Sequence, residues 1–588
     1  MINLPRLVRT VRPLRREQWL GQVAMRLRAP VDRPARMLWQ IRSDGEQPRV
    51  SWRPTADWLH PDGTVLDAAD VERGTYRFVG HARELGNPPQ WRADAAPKLW
   101  RYNLHYHGFL YGLPFASAKA LVQSYLAAAG PEHEPAEGWE PYPLSLRLAN
   151  WVMLFFGRWR DATLADRTFS ERLWLEIRRM ATWLSSHVEV HLMANHLLEN
   201  AAALALAGVC FDGERARVWR TQGLALLRAQ LDEQILPDGG HYERSPMYHQ
   251  RVVYLLIALA NTGDPELRTL VAPRVGAALT WLAEMTHPDG EIAHFNDAAT
   301  GIYPAPARLL AWAQAVGLAG PSAAGDRSTW RLLPDSGYLV ARSARGHVVI
   351  MDVGEIGPAH QPGHAHADFL SLEISWAGRR FVVDGGNFEY ESGERRDWAR
   401  GVEAHSTVFV VGEQPLELWG AFRVGRRGHP IGVDARSLGD GAGWLTAAHT
   451  GYQHLPASPV PRRELQWDPL GVVRVLDRVD ATAAVPCASQ LRIDGEWSLH
   501  RDSSTRYVFQ RGAERAYVLS SVPIEVGRCR HFPRFGETRP AHLLRCRFRS
   551  GERVEWVVCH AGAIERAEAW QGDRTQSPAR DPQCASRS

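Results

Sequence analysis

The spacing of apolar residues changes once along the chain, and this change constrains the fold more than any other feature. From about residue 96 to 318, apolar residues recur every three or four positions, as in "ANHLLENAAALALAG" and "YHQRVVYLLIALANTG", which is the period of an amphipathic helix. After the connector "LAGPSAAGDRSTW" the period becomes two, in short β-branched runs such as "HVVIMDVG" and "RVEWVVCHAG". The sequence therefore predicts a helical half, a linker and a β half.

This order of elements predicts an α+β protein of more than one domain. Helices in series indicate a layer of antiparallel helix pairs, and many short strands without intervening helices indicate an antiparallel β-sandwich. A chain of 588 residues also exceeds what one hydrophobic core supports. We expect an N-terminal extension packed on the helical domain (1–95), a helical domain (96–320), a sandwich domain (330–565) and a disordered tail (566–588).

Composition excludes several classes of protein. A net charge of +4 is too small to argue for nucleic-acid binding, although a basic groove for an acidic glycan fits within it. The apolar runs fall short of the roughly 18 residues that span a bilayer, so no transmembrane helix is expected. Arginines interrupt every apolar run of the N-terminal segment, so no secretory signal is seen; this favours the cytoplasm and leaves periplasmic association open.

The Arg-rich opening segment "MINLPRLVRTVRPLRREQWLGQVAMRLR" has two interpretations. It could form an amphipathic helix that touches a membrane or a partner, or a solvated helix packed on its own protein. The sequence alone favours the second.

The helical half contains two polar clusters beside apolar helices. "MANHLLEN" places Asn195 and His196 four residues before Glu199 and Asn200, so they form i,i+4 pairs at a helix start. Taken alone, the segment favours a simpler interpretation, in which Asn195 caps the helix and the histidine beside it is satisfied.

"LPDGGHYERSPMYHQRVV" is denser in proton-transfer groups and includes His241, Arg244 and Tyr248. A neighbouring arginine or imidazolium would lower the pKa of a tyrosine, as a general base requires; ring packing in a helix core is the alternative for Tyr248. Aromatic residues with polar tips, such as Tyr102 and His105 in "LWRYNLHYHGFL", suit sugar rings and ordinary helix packing alike.

The β half contains "PGHAHADFLSLEISW", in which alternation places His364, His366 and Asp368 on the face of a buried stripe. Either the stripe ends in solvent there or these groups line a site. Asp384 follows His366 by 18 residues, and His405 follows by 21 more. Two histidines and one carboxylate from adjacent strands could form a zinc shell with water as the fourth ligand. Nearby arginines, among them Arg400, suit an acidic polymer or a solvated basic face.

Taken together, "ANHLLEN", "DGGHYERSPMYH", "DGEIAHFNDA", "GHAHADFLSLEISWAGRRFVVDGGNFEY" and "RGVEAHSTVFV" resemble the heparinase II/III family of polysaccharide lyases, in that family's order. The resemblance covers roughly residues 95 to 430 through motifs, and the remainder through strand pattern. It implies an incomplete (α/α) toroid followed by an antiparallel β-sandwich. It also implies β-elimination at a uronic acid, in which a base removes the C5 proton and an acid protonates the departing O4.

The resemblance also implies roles for residues. Asn195 and His196 match the pair that contacts the substrate carboxylate, Tyr248 matches a tyrosine that acts as base, acid or both, and His364 matches a histidine that completes the site across the cleft. His366, Asp384 and His405 match structural zinc ligands of some members. If His364 and His366 have these separate roles, the chain must bend or bulge before a regular strand begins at Phe369. Residues expected at the substrate are Arg244, as a second carboxylate clamp, and His241, Tyr102, His105, Glu199 and Arg400.

The expected partner is therefore an acidic polysaccharide, with a role beside exopolysaccharide or capsule synthesis. A non-catalytic glycan-binding or assembly protein is the alternative, although such a protein need not hold acid, base and clamp together. A glycoside hydrolase would need two opposed carboxylates, and no such pair stands out. The sequence leaves the oligomeric state, the particular uronic acid and its linkage open.

Overall fold

The structure, a computed structural model, describes residues 3–38, 46–63, 65–128, 136–320 and 328–572, without the side chains of 33–38, 136 and 572. The predicted connector and tail lie partly outside these ranges. Among the described helices, none combines the length and apolar character that crossing a bilayer requires.

The α-helices of the described residues lie before residue 316, apart from two short ones. In chain order they are α1 Leu4–Val11, α2 Arg16–Leu38, α3 Ala68–Glu72, α4 Lys98–Tyr106, α5 Phe115–Ala128, α6 Pro141–Trp151, α7 Arg160–Ala165, α8 Arg167–Ser186, α9 Ala194–Cys210, α10 Glu214–Gln234, α11 Pro246–Asn261, α12 Pro265–Glu284, α13 Pro306–Ala315, α14 Glu394–Arg400 and α15 Ile564–Gly572.

The strands lie mostly in the second half. They are β1 Gln47–Pro48, β2 Thr75–Phe78, β3 His81–Glu84, β4 Phe211–Asp212, β5 Thr329–Leu333, β6 Tyr338–Arg342, β7 Val348–Asp352, β8 Leu372–Trp376, β9 Arg379–Val382, β10 Val408–Val410, β11 Leu418–Trp419, β12 Arg423–Val424, β13 Pro430–Gly439, β14 Ala442–His449, β15 Val460–Asp468, β16 Val472–Asp480, β17 Pro486–Asp494, β18 Ser498–Arg501, β19 Arg506–Arg511, β20 Glu514–Ser520, β21 Glu525–His531, β22 Arg539–Arg549 and β23 Arg553–His560.

Two antiparallel sheets form the β domain. One has the order β21-β22-β17-β9-β8-β7-β6-β5, with β10 also paired to β17, and the other has the order β13-β14-β15-β16-β23-β20-β19-β18. Apolar side chains of both sheets, such as Trp376 and Trp467, share one core and stack with ring centroids 6.2 Å apart. This is the predicted sandwich.

Residues of the N-terminal extension pack on the helical domain. Trp58, Val71 and Tyr76 are buried in the same apolar core as the helices α5 to α13. The predicted start of the tail at residue 566 is too early, because α15 continues to Gly572 and buries Ala567 against the sheet residues Val472 and Val557.

The helices α9 and α10 pack backbone against backbone. A Cβ added to Gly223 of α10 would lie 2.6 Å from the Ala205 nitrogen and 2.8 Å from the Ala201 oxygen of α9. Glycine is therefore needed at this contact for its lack of a side chain. Because α9 begins with Ala194 and Asn195, this contact also positions one wall of the site described below.

We predict that Gly223→Ala lowers the free energy of unfolding by about 1–3 kcal/mol through overpacking, although alanine is the better helix former. Gly276→Ala is the matched control, since the added Cβ would meet one atom at an ordinary 3.7 Å. The control should be neutral or slightly stabilising. Chemical denaturation of both variants measures this, and equal effects would contradict the packing argument.

Candidate active site

A cleft of about 850 Å³ lies between the helical domain and the β domain. Its walls include α4, α6, α9 and α11 on one side and the loops before β8 and after β9 on the other. The four predicted catalytic residues, Asn195, His196, Tyr248 and His364, all line it. Folding thus brings together side chains that are up to 169 positions apart in the sequence.

Asn195 is held by the carboxylate of Glu243. The Asn195 backbone N–H donates to Glu243 Oε1 at 3.4 Å, and its amide Nδ2 donates to Oε2 at 3.3 Å. The two residues before Asn195, Met193 and Ala194, have φ of 60° and 51°, a left-handed conformation that side chains rarely adopt and that concentrates at functional sites. Burial raises the pKa of Glu243, which favours its protonated form.

His196 stands on the next position of α9 and faces both a carboxylate and an aromatic ring. Its Nδ1 lies 3.2 Å from Glu189 Oε1, and its ring centroid lies 4.2 Å from the ring centroid of Tyr142. Burial alone would lower the pKa of His196. The negative charge of Glu189, with smaller contributions from Glu243 and Glu199, outweighs burial, so the pKa of His196 is raised. His196 is therefore suited to carry positive charge toward the cleft.

Tyr248 lies in the first turn of α11, where the hydroxyl of Ser245 caps the helix by accepting the Tyr248 N–H. Its ring packs against that of His364, with centroids 3.9 Å apart and ring planes inclined by 31°, and its hydroxyl lies 3.1 Å from that of Tyr390. Burial, together with the neighbouring Tyr390, raises the pKa of Tyr248 well above its usual value. The predicted lowering of this pKa is wrong, because no cation reaches the hydroxyl strongly enough to offset desolvation.

His364 is oriented by Asp297, which belongs to the loop after α12. Its Nδ1 lies 2.9 Å from Asp297 Oδ2, and the Asp297 N–H donates to the His364 carbonyl at 3.0 Å. Since an ionised carboxylate only accepts, this contact places a proton on Nδ1, so Nε2 is the nitrogen that carries the lone pair in the neutral ring. Nε2 is the nitrogen nearer Glu243, at 3.8 Å from Oε2.

The same carboxylate binds three further residues of the β domain. Asp297 accepts from His366 Nε2 at 2.8 Å and from Asn387 Nδ2 at 3.2 Å, and it forms a two-point ion pair with Arg396. Burial alone would raise the pKa of Asp297, but Arg396 and the hydrogen bonds from both histidines hold it well below its usual range. Asp297 is thus an anion fully enclosed by its partners.

The "PGHAH" segment is not a regular strand, because the Ala365 N–H donates to the Pro362 carbonyl at 3.2 Å and closes a turn there. Further along, Leu370 has a φ of 60°, and the regular strand β8 begins at Leu372, three residues later than predicted. His364 and His366 both reach Asp297, so the two histidines share a partner rather than facing different sites. Asp368, which the sequence left without a role, accepts the Asn296 N–H at 2.8 Å and fixes the loop that carries Asp297.

Among the residues expected at the substrate, Tyr102 lines the cleft and donates its hydroxyl to Glu140. The others are not among the cleft-lining residues, for reasons that differ. Arg244 has a φ of 59° and donates to the carbonyls of Glu355 and Asp335 at 3.0 and 3.1 Å. Arg244 therefore links its own loop to the loops of Asp335 and Glu355, and it is not the predicted carboxylate clamp.

The remaining four expected residues lie behind the cleft-lining residues, where they are buried. They are Glu199, Arg400, His241 and His105. Glu199 forms a buried two-point ion pair with Arg251, which itself lines the cleft. Arg400 donates to the carbonyls of Ala365 and Gly420 at 3.1 and 3.0 Å. His241 and His105 are fully buried, and desolvation lowers both pKa values, that of His105 to about 3.

The predicted zinc ligands lie together, but their donor atoms do not converge. The rings of His366 and His405 are 5.5 Å apart, and each has one buried nitrogen, Nδ1 and Nε2 respectively, without a hydrogen-bond partner. Asp384, however, accepts from the other nitrogen of His405, Nδ1, at 2.8 Å. In the part of the chain that the structure describes, no three such side chains are arranged to hold a metal ion. The three residues do not fit a shell as they stand, and zinc stays a prediction for metal analysis.

Sequence reasoning missed three residues of the site as members of it. Glu243 lies in "HYERSPMYH", Asp297 in "FNDA" and Tyr390 in "NFEY", but the spacing of these motifs assigns none of the three residues a partner. Their partners, Asn195, His364 and Tyr248, lie 48, 67 and 142 positions away. The signal available was the presence of "FNDA" and "NFEY" beside the other polar motifs.

Comparison with known proteins gives two matching family models. Heparinase II/III N-terminus matches residues 116–307, and Heparinase II/III-like, C-terminal matches residues 326–565. The chain belongs to the heparinase II/III-like family. The two matches divide at the linker that the change of period predicts.

Relatives of this family member include a heparin-sulfate lyase of Pedobacter heparinus, 25% identical over 252 residues, which are 39% of this chain and 38% of the lyase. FtsZ-localized protein C of Caulobacter vibrioides is 29% identical over 311 residues, 50% of this chain and 49% of that protein. The matches thus span less than half the length of these curated relatives.

Solved structures of heparinases share the fold. The chain matches a heparinase III, the BT4657 gene product, with a TM-score of 0.62 at 16% identity, covering 85% of each chain. It matches heparan sulfate lyase HepC of Pedobacter heparinus with a TM-score of 0.55 at 18% identity, covering 84% of this chain and 82% of that one. The fold is the expected incomplete (α/α) toroid followed by an antiparallel β-sandwich.

We predict that Asp297→Asn lowers the free energy of unfolding by about 3–5 kcal/mol, because it leaves Arg396 buried without a counter-charge. Glu525→Gln is the control: it removes a 3.0 Å ion pair with Arg547 whose side chains are 52% and 56% exposed, and such pairs contribute about 0–1 kcal/mol. Denaturant unfolding compares the two. A loss no larger than that of the control would contradict the role of Asp297.

Proposed function

We propose that this chain is a polysaccharide lyase that cleaves a uronic-acid-containing acidic polysaccharide by β-elimination. The observation that carries the proposal is the meeting of Tyr248, His364, Asn195 and His196 in one cleft, with the Tyr248 ring packed against that of His364. Heparinase III structures with this fold and heparin-sulfate lyase relatives support the reaction class. A role in exopolysaccharide or capsule synthesis, in the cytoplasm, is part of the proposal.

In the proposed reaction the C5–H bond breaks, its electrons form the C4–C5 double bond, and the C4–O bond breaks. His364 Nε2 is the proposed base, because Asp297 occupies Nδ1 and stabilises the imidazolium that forms. Tyr248 is the proposed acid, since its raised pKa keeps it neutral and its hydroxyl proton can go to the departing O4. The product would carry an unsaturated uronic acid at its new non-reducing end.

The α9 start is the proposed carboxylate clamp. Protonated His196 would pair with the uronate, and the amide of Asn195 would donate to it. In the described structure Asn195 Oδ1 has no hydrogen-bond partner. Rotation of the amide by half a turn exchanges the positions of its nitrogen and oxygen. The oxygen then faces Glu243, whose raised pKa favours the protonated form that can donate to it. Neutralising the carboxylate makes the C5 proton acidic enough to remove.

We predict that Tyr248→Phe lowers kcat for elimination by about 10²–10⁴-fold, because the leaving oxygen loses its proton donor. Tyr254→Phe is the matched control on the same helix: its hydroxyl donates to the Leu59 carbonyl at 3.0 Å and does not line the cleft. Ultraviolet absorbance of the C4–C5 double bond measures the rate on a panel of uronic-acid polymers. Full activity of Tyr248→Phe would remove this tyrosine from the mechanism.

We predict that substrate binding weakens as pH rises through the raised pKa of His196, because the imidazolium then loses its charge. The charged or titratable groups around it are Glu189, Glu243, Glu199 and His191. Glu189→Gln removes the largest of the influences that raise this pKa, so the rise of KM should begin at lower pH. His196→Gln should raise KM at every pH and abolish this dependence. A KM profile unchanged by Glu189→Gln would contradict the clamp.

A further inference from the structure

Helix α2 turns its apolar face to solvent, whereas an ordinary surface helix turns its apolar face to the core. Leu20, Val23, Leu27 and Val31, spaced by three or four residues, share one face, and they are 58%, 53%, 74% and 59% exposed. Helix α1 continues this pattern with Leu4 and Val8, 65% and 51% exposed. We call the exposed apolar side chains of α1 and α2 the N-terminal stripe.

The opposite face of α2 is polar and is attached to both domains. Gln18 is 1% exposed and donates to the His360 carbonyl at 3.3 Å, and Asp32 lies 3.2 Å from His187 Nε2. Arg28 donates to the Ser186 carbonyl at 2.6 Å. The contacts hold the helix with its stripe outward.

Helix α1 is fixed in the same way. Arg9 pairs with Glu417 at 2.8 Å, and the Arg6 guanidinium lies 5.1 Å above the Trp419 ring. Trp419 in turn donates its Nε1–H to the Thr10 hydroxyl at 3.0 Å. The outward direction of Leu4 and Val8 therefore results from specific contacts with the β domain.

The charge around the stripe is positive. Residues 3–32 contain seven arginines against two acidic residues. Arg9 and Arg15 pair with Glu417 and Glu233, and Arg16 and Arg26 are exposed on α2. Arginine side chains lie along an apolar surface while their guanidinium groups reach the charged groups above it. An apolar stripe between guanidinium groups is complementary to lipid acyl chains beneath anionic headgroups.

We propose that α1 and α2 dock this protein on an anionic lipid bilayer, with the N-terminal stripe in the headgroup and acyl boundary. A second copy fits the surface less well, because a two-fold interface would bring two arginine-rich faces together. The contacts of α2 lie at His360 and at Ser186–His187, near the cleft-lining residues Gln361 and Leu192. Docking would thus bring one edge of the cleft close to the membrane.

The test is co-sedimentation of the full chain with vesicles of phosphatidylglycerol and phosphatidylcholine in equal parts, against phosphatidylcholine alone. The protein should sediment with the anionic vesicles, and less so at high salt because charge attraction is screened. The double variant Val23→Asp/Leu27→Asp should reduce the bound fraction by about tenfold, because carboxylates then enter the apolar boundary and repel anionic lipid.

Val218→Asp is the matched control, since Val218 is also 53% exposed but lies on α10. It should sediment like the unaltered chain. Thermal melting of all variants checks the fold, which exposed substitutions should leave unchanged. No sedimentation with anionic vesicles, equal sedimentation with neutral ones, or no difference between the double variant and the control would each overturn the proposal. A concentration-dependent dimer that the double variant abolishes, without vesicle binding, would assign the stripe to a second copy instead.

Discussion

The candidate site depends on one buried anion, the carboxylate of Asp297. It comes from the loop after α12, whereas its partners His364, His366, Asn387 and Arg396 belong to the β domain. The Asp297 side chain is fully buried, so its charge is tolerable only while both domains supply its partners. The same contacts that satisfy Asp297 orient His364 toward the cleft, so the packing of the two domains also positions this residue of the site.

The two walls of the cleft hold their side chains on different kinds of backbone, a helix on one side and an irregular loop on the other. The helical wall presents Asn195 and His196 from the start of α9, after two residues with left-handed φ, and Glu243 and Glu189 fix their side chains. The β wall presents His364 from an irregular loop that ends only at Leu372. Rigid helices thus carry the proposed carboxylate clamp, and a loop bound through Asp297 carries the proposed base. Tyr248 joins the walls through its contacts with His364 and Tyr390.

The sequence predicts the division into domains well, because helix and strand periods are local properties. The resemblance of its motifs to the lyase family also implies which polar segments meet, and Asn195, His196, Tyr248 and His364 do share a cleft. It does not predict where individual side chains point. Arg244 and Arg400 bind carbonyl groups behind the cleft, and His241 is buried. These outcomes, and the raised pKa of Tyr248, depend on desolvation and on partners far away in sequence, which residue spacing does not encode.

The central claim is that the cleft performs β-elimination. Incubation of the unaltered chain with uronic-acid polymers, while both ultraviolet absorbance and reducing ends are recorded, tests it most directly. The account predicts one unsaturated C4–C5 bond for every new reducing end. Reducing ends without the absorbance would mean hydrolysis, and polymer binding without either product would mean a glycan-binding protein; both results would contradict the account.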